Sequence, residues 1–156
     1  MARMTGRVLG LDVGSRRLGV AVSDPSGTVA SPLATLQRRG PAEDASALGR
    51  LAAEQEAATV VVGLPLTLAG REGPAAAAVR AYVGELRPLL PGLVFDLVDE
   101  RLSTAAAERA LISGGVRRQG RRAVVDQVAA SLFLQTWLDR ARSGEDAPGR
   151  QLGGRG

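Results

Sequence analysis

The stretch Thr59-Val60-Val61-Val62-Gly63 constrains the fold more than any other part of the chain. A short unbroken apolar run, closed by Gly63-Leu64-Pro65, is what a strand needs when both of its faces are covered, as in a parallel sheet. Helical periods flank it. Ala45, Leu48, Leu51 and Ala52 repeat at helical spacing, with Glu43 and Asp44 at the end where a helix favours negative charge, and predict a helix over roughly 41–57. Downstream, Pro74 opens an Ala-rich helix that reaches about Leu89.

The region before the first helix reads as three antiparallel strands. VLGLDVG and LGVAVSD enclose the turn Gly14-Ser15-Arg16-Arg17 as a hairpin, and Asp24-Pro25-Ser26-Gly27 turns the chain into a third strand over roughly 28–36. Pro32 suits an edge or a bulge there. Leu93 to Val98 supplies a fifth strand, Ser103 or Thr104 caps a short helix through Ile112, and a long apolar helix is expected over roughly 123–142. The order βββαβαβαα describes one α/β domain with a five-stranded mixed sheet and helices on both faces. Residues 1–142 form that domain, and 143–156 read as a disordered tail.

Composition then restricts the chemistry. There is no Cys and no His, which removes disulfides, Cys/His zinc sites, thiol nucleophiles and imidazole bases. Acid and base work or metal binding falls to Asp and Glu, whose oxygens suit Mg²⁺ or Mn²⁺. All 20 basic residues are Arg, and the net charge of +4 admits a polyanionic partner. No apolar run approaches a membrane span and no signal-type cleavage pattern precedes Asp12, so a cytoplasmic location without membrane contact is expected.

Three acidic positions stand out. Asp12 ends the first strand amid Leu9, Leu11 and Val13; a turn-forming role is the plain alternative to a ligand. Asp99 and Glu100 end the fifth strand, and because successive side chains alternate, only one of them faces a common site, with period alone unable to choose. A surface acid paired with Arg101 is the competing reading. Asp126 lies near the start of the last helix, where the helix dipole alone accounts for an acid. Carboxylates from strand one, a late strand and the closing helix can converge on one sheet edge. Such a set suits phosphodiester hydrolysis assisted by two metal ions ~4 Å apart. Arg16 and Arg17 beside Asp12, and Arg117, Arg118, Arg121 and Arg122 in a Gly-rich segment, would counter phosphate charge unless they form only a solvated basic face. Four aromatic residues leave little for base stacking and favour recognition of backbone and shape.

The sequence resembles the YqgF/RuvX family in four motifs. These are Gly10-Leu11-Asp12-Val13-Gly14 followed by Arg17-Leu18-Gly19-Val20-Ala21-Val22-Ser23-Asp24; Val62-Gly63-Leu64-Pro65 with Gly70-Arg71-Glu72-Gly73-Pro74; Asp99-Glu100-Arg101-Leu102-Ser103-Thr104; and Val124-Val125-Asp126. The likeness spans roughly residues 5–142. It implies an RNase H-like fold, with Asp12, Glu100 and Asp126 as metal-binding catalytic acids and Asp99 as a supporting residue. Thr67 stands where Asn is common, and Ala123 and Gln127 replace usual Lys residues, so the grip on substrate differs more than the metal centre.

The resemblance implies a nuclease that matures the 5′ end of 16S ribosomal RNA, or a Holliday-junction resolvase using the same carboxylates on branched DNA, which a homodimer would cut in pairs. Two other classes compete. An actin- or sugar-kinase-like ATPase module would need a second domain to close over nucleotide, and a non-catalytic nucleic-acid-binding scaffold would need no convergent acids. Replacing Arg117, Arg118, Arg121 and Arg122 together by Ala is expected to weaken nucleic-acid binding. It should also flatten the salt dependence by about one unit of log–log slope per lost phosphate contact, as a salt titration of binding would measure.

Overall fold

All five expected strands lie within the residues that the computed structural model describes, 6–102 and 119–144, with side chains described for 6–101 and 126–144. The elements are β1 (Arg7–Val13), β2 (Arg17–Ser23), β3 (Ala30–Gln37), α1 (Pro41–Gln55), β4 (Ala57–Leu64), α2 (Pro74–Leu86), β5 (Val94–Asp99) and α3 (Gln119–Arg142). The short helix expected through Ile112, Arg117 and Arg118, and the tail past Gly144 lie outside the described residues. One boundary differs. Helix α3 begins at Gln119, before the expected start near 123, so Arg121 and Arg122 belong to the helix and not to a joining loop. Gly120 suggested a loop, but a helix held by its apolar stripe further along tolerates one Gly near its start.

The sheet runs β3-β2-β1-β4-β5, with the first three strands antiparallel and β1, β4 and β5 parallel. β4 is buried on both sides, as its apolar run predicts: Val60 and Val62 face the cluster under α1 and α2, while Val61 faces the one under α3. β1 divides likewise, Leu9 and Leu11 on the first face and Val8 on the second. Pro32 sits on edge strand β3 where the register against β2 shifts, between the pairs Val20–Ala34 and Ala21–Pro32.

Helix α3 buries Ala129, Ala130, Phe133, Leu134, Trp137 and Leu138 as one stripe. Polar side chains fix its position along the sheet. Gln135 accepts from the Ala30 N–H and donates to the Thr28 carbonyl, each at 2.8 Å, and Gln127 donates to Thr35 Oγ1 at 2.8 Å. Trp137 Nε1 donates to Asp96 Oδ2 on β5 at 2.9 Å. Among the described residues, no helix is long and apolar enough to cross a membrane.

Asp24 builds the β2–β3 turn. Its carboxylate accepts from Ser26 Oγ and from the Thr28 and Val29 N–H groups. These donors, the Ser26 hydroxyl foremost, lower its pKa from 3.8 to about 2. The stabilisation is therefore complete above the ordinary carboxylate range and is lost as pH falls through the folded value. Asp24→Asn is expected to be less stable than the parent at neutral pH, with the gap closing between about pH 4 and pH 2, as thermal melts across that range would record.

Candidate active site

The alternation of β1 sends Asp12 to the face covered by α3, two residues beyond Gly10, against which the Ala130 carbonyl and Leu134 pack. Asp12 is 6% exposed. Its cross-strand partner on β2 is Gly19, and a β-carbon at Gly19 would collide with the backbone and Cβ of Asp126. Asp12 and Asp126 are thus brought to the same spot on the sheet, separated in the plane by a residue without a side chain.

Glu100 directly follows β5, two residues beyond Val98 of the α3-side cluster, and is also 6% exposed. The register sets Asp12 level with Gly63 and Val98, so Glu100, in a short 3-10 turn that touches α3, stands on the far side of β4 and further along, more than two strand spacings of about 10 Å from Asp12. Among the described residues, no three acidic side chains come together closely enough to form a ready-made ion site. The donor chemistry nevertheless fits a hard divalent cation. Every candidate ligand is a carboxylate, the oxygen donor such an ion takes, and two of the three are buried.

Asp99, the last residue of β5, is placed differently from Glu100, the first of the 3-10 turn that follows. Asp99 pairs in register with Leu64 and is held by Arg101, which donates from its backbone N–H at 2.9 Å, from Nε at 3.1 Å and from Nη2 at 2.8 Å. Partial burial would raise the Asp99 pKa, but the Arg101 hydrogen bonds outweigh it and hold the carboxyl below its usual value. The pairing with Arg101 thus describes Asp99, which is partly buried and not a surface acid.

The basic candidates also separate. Arg16 is exposed, whereas Arg17 is half-buried with Nε 3.5 Å from Asp126 Oδ2, an ion pair too long for a good hydrogen bond. Arg121 and Arg122 lie in the first turn of α3. Helix α3 therefore joins Asp126 and the candidate phosphate-binding pair in one element.

Sequence reasoning missed a group that braces the Asp12–Arg17 turn from the opposite face. Arg38 Nη1 donates to the Gly14 carbonyl at 2.6 Å, and the Arg38 N–H donates to the Arg16 carbonyl at 2.9 Å. The Arg38 guanidinium lies 4.1 Å from the Tyr82 ring centroid. Tyr82 in turn donates to Asp44 Oδ2 at 2.7 Å, and Asp44 Oδ1 accepts from the Arg39 N–H at 2.8 Å. Burial, followed by the Asp44 carboxylate, raises the Tyr82 pKa well above its ordinary value. The available signal was Asp44 beside Ala45 and Leu48 on the buried side of α1, an acid placed where an apolar residue belongs.

A family model described as RuvX, Holliday junction resolvase, matches residues 6–140. A protein of Mycobacterium sp. strain KMS is 46% identical over 152 residues, spanning 97% of this chain and 89% of its own length. One of Roseiflexus sp. strain RS-1 is 46% identical over 142 residues, spanning 91% of this chain and 100% of its own. Both are provisionally named pre-16S rRNA nuclease. A solved structure of T. thermophilus RuvC in complex with a Holliday junction substrate shares the fold, with a TM-score of 0.56 at 18% identity over 92% of this chain and 99% of that one.

The close approach at Gly19 generates a stability test. Gly19→Ala is expected to lift α3 from β2 and to cost about 3 kcal/mol, because the obstructing atoms are backbone and cannot rotate away. Urea denaturation monitored by Trp137 fluorescence measures the change.

Proposed function

The chain belongs to the RuvX family, and from that premise we propose that it is a divalent-metal-dependent nuclease of structured nucleic acid, processing the 5′ end of pre-16S ribosomal RNA. The observation that carries the reading is the meeting of Asp12 and Asp126 around Gly19, at the sheet edge that also bears Glu100. The names of the relatives favour ribosomal RNA. The family description favours a four-way DNA junction as the second reading, with a twofold dimer to make paired cuts.

In this mechanism Asp12, Glu100 and Asp126 would hold Mg²⁺ or Mn²⁺. A metal held there would neutralise the charge that builds on the phosphate during hydrolysis. The chain's own work is orientation. Gly19 admits the Asp126 backbone beside Asp12, Arg38 fixes the turn that follows Asp12, and Gln127 and Trp137 hold α3 in register. Arg17 offsets the acidic charge through Asp126 and is placed beside the acids where it could also meet a substrate phosphate. Arg16, Arg117, Arg118, Arg121 and Arg122 would bind phosphates further along the substrate.

Asp12→Asn, Glu100→Gln and Asp126→Asn are each expected to slow cleavage by roughly a hundredfold or more, about 2.7 kcal/mol of barrier, while the protein still folds. Metal-free melting temperatures should hold or rise as crowded charge is removed. Mn²⁺ should replace Mg²⁺, and excess chelator should stop the reaction. Cleavage of precursor ribosomal RNA and of a four-way DNA junction, compared at matched salt and metal, decides between the two substrates. Near-normal cutting by a folded variant removes that residue from the site.

A further inference from the structure

One apolar side chain stands wholly in solvent at the edge that carries the acids. Leu68 is 101% exposed; the next large apolar residue among those described, Val94, is 63% exposed. A lone surface Leu is ordinary. Its setting is not. Leu68 lies in the loop between β4 and α2, directly beyond Leu64, whose register partner Asp99 immediately precedes Glu100.

The loop is held in shape. The Thr67 N–H donates to the Arg71 carbonyl at 2.8 Å, the Gly70 N–H to the Thr67 carbonyl at 2.8 Å, and the Arg71 N–H to Thr67 Oγ1 at 3.1 Å. Leu66 packs inward against the core on one side of this closed turn, while Leu68 projects outward from it. At Gly70, whose φ of +81° few other residues adopt, the loop rests on the Arg101 guanidinium, with only 3.3 Å left between Nη2 and the place of a β-carbon. Arg101 is the chain neighbour of Glu100 and is tied to Asp99, so the Leu68 loop is braced against the segment that supplies an acid of the site. An exposed apolar tip on a braced turn, with Arg71 and Arg101 beside it, has the chemistry of a wedge that enters a base stack while cations hold the adjoining phosphates.

We propose that Leu68 is such a wedge: it inserts beside an unstacked base at a helical discontinuity of the nucleic-acid substrate, with Arg71 and Arg101 on the flanking phosphates, and so presents the adjacent phosphodiester to the acidic edge. This rests on the nuclease reading above. It accounts for a loop that spends an apolar residue on solvent and adds specificity for the boundary between duplex and single strand.

The test uses the full chain and an RNA duplex with a single-stranded extension, carrying 2-aminopurine at the boundary, in buffer with Ca²⁺. A second arm uses a four-way DNA junction with 2-aminopurine at the crossover. Binding of the parent protein is expected to raise 2-aminopurine emission as the base unstacks. Leu68→Ala should lose most of that rise and bind roughly three- to tenfold more weakly, and Leu68→Phe should keep the rise. Arg71→Ala should weaken binding and lower the salt slope by about one. Leu68 is fully exposed, so its variants should melt with the parent. Binding without a rise in emission, or a rise unchanged in Leu68→Ala, overturns the wedge and leaves the nuclease reading standing. Failure of the parent to bind or cleave either substrate overturns both.

Discussion

The close seating of helix α3 on the sheet governs the rest of the structure. Three residues without side chains make room for it: Gly10 under the Ala130 carbonyl, Gly19 under the Asp126 backbone, and Gly63 under the Phe133 ring, where a β-carbon would lie 2.7 Å from a ring carbon. They lie on β1, β2 and β4, neighbours in the sheet, so the helix crosses the middle of it without obstruction. Contact this close raises packing density and removes play in the position of Asp126 relative to Asp12. The apolar stripe supplies the attraction. The glycines set the distance.

Much of this was legible in the sequence because it rests on local pattern. The Val-rich run predicted a doubly covered strand, Pro32 pointed to an edge or bulge, and the apolar stretch near the end predicted a long helix. The carboxylates at the strand ends were visible for the same reason. What could not be read depends on contacts between distant residues. Whether Asp99 or Glu100 faces α3 follows from which cluster receives Phe95, Leu97 and Val98, and a period of two has no preferred starting face. Arg38, Asp44 and Tyr82 join three segments, and Asp44 already had a sufficient explanation at the start of a helix.

Charge at the acidic edge is balanced by guanidinium groups on both flanks. Arg17 faces Asp126, Arg101 holds Asp99, and Arg38 anchors the turn between Asp12 and Arg17 without pairing to a carboxylate there. A planar guanidinium fixes direction as well as charge, which an ammonium does less well. These contacts differ in exposure. Arg101 is open to solvent above a more sheltered Asp99, so the value of that bridge lies in shaping the loop contact at Gly70 more than in stability. Arg17 is sheltered and responds more strongly to any change in charge beside it.

The seating of α3 also orders events during synthesis. The β1–β2–β3 meander joins residues close in sequence and can pair early. The Ala30–Gln135 and Thr28–Gln135 bonds span 105 and 107 residues, so the ribosome must release α3 before that helix can close on the sheet. A nascent or truncated chain holds Asp12 without Asp126 beside it. The acidic edge therefore arises only after α3 has emerged, and a chain that stops short of α3 carries an exposed sheet face without Asp126 beside Asp12.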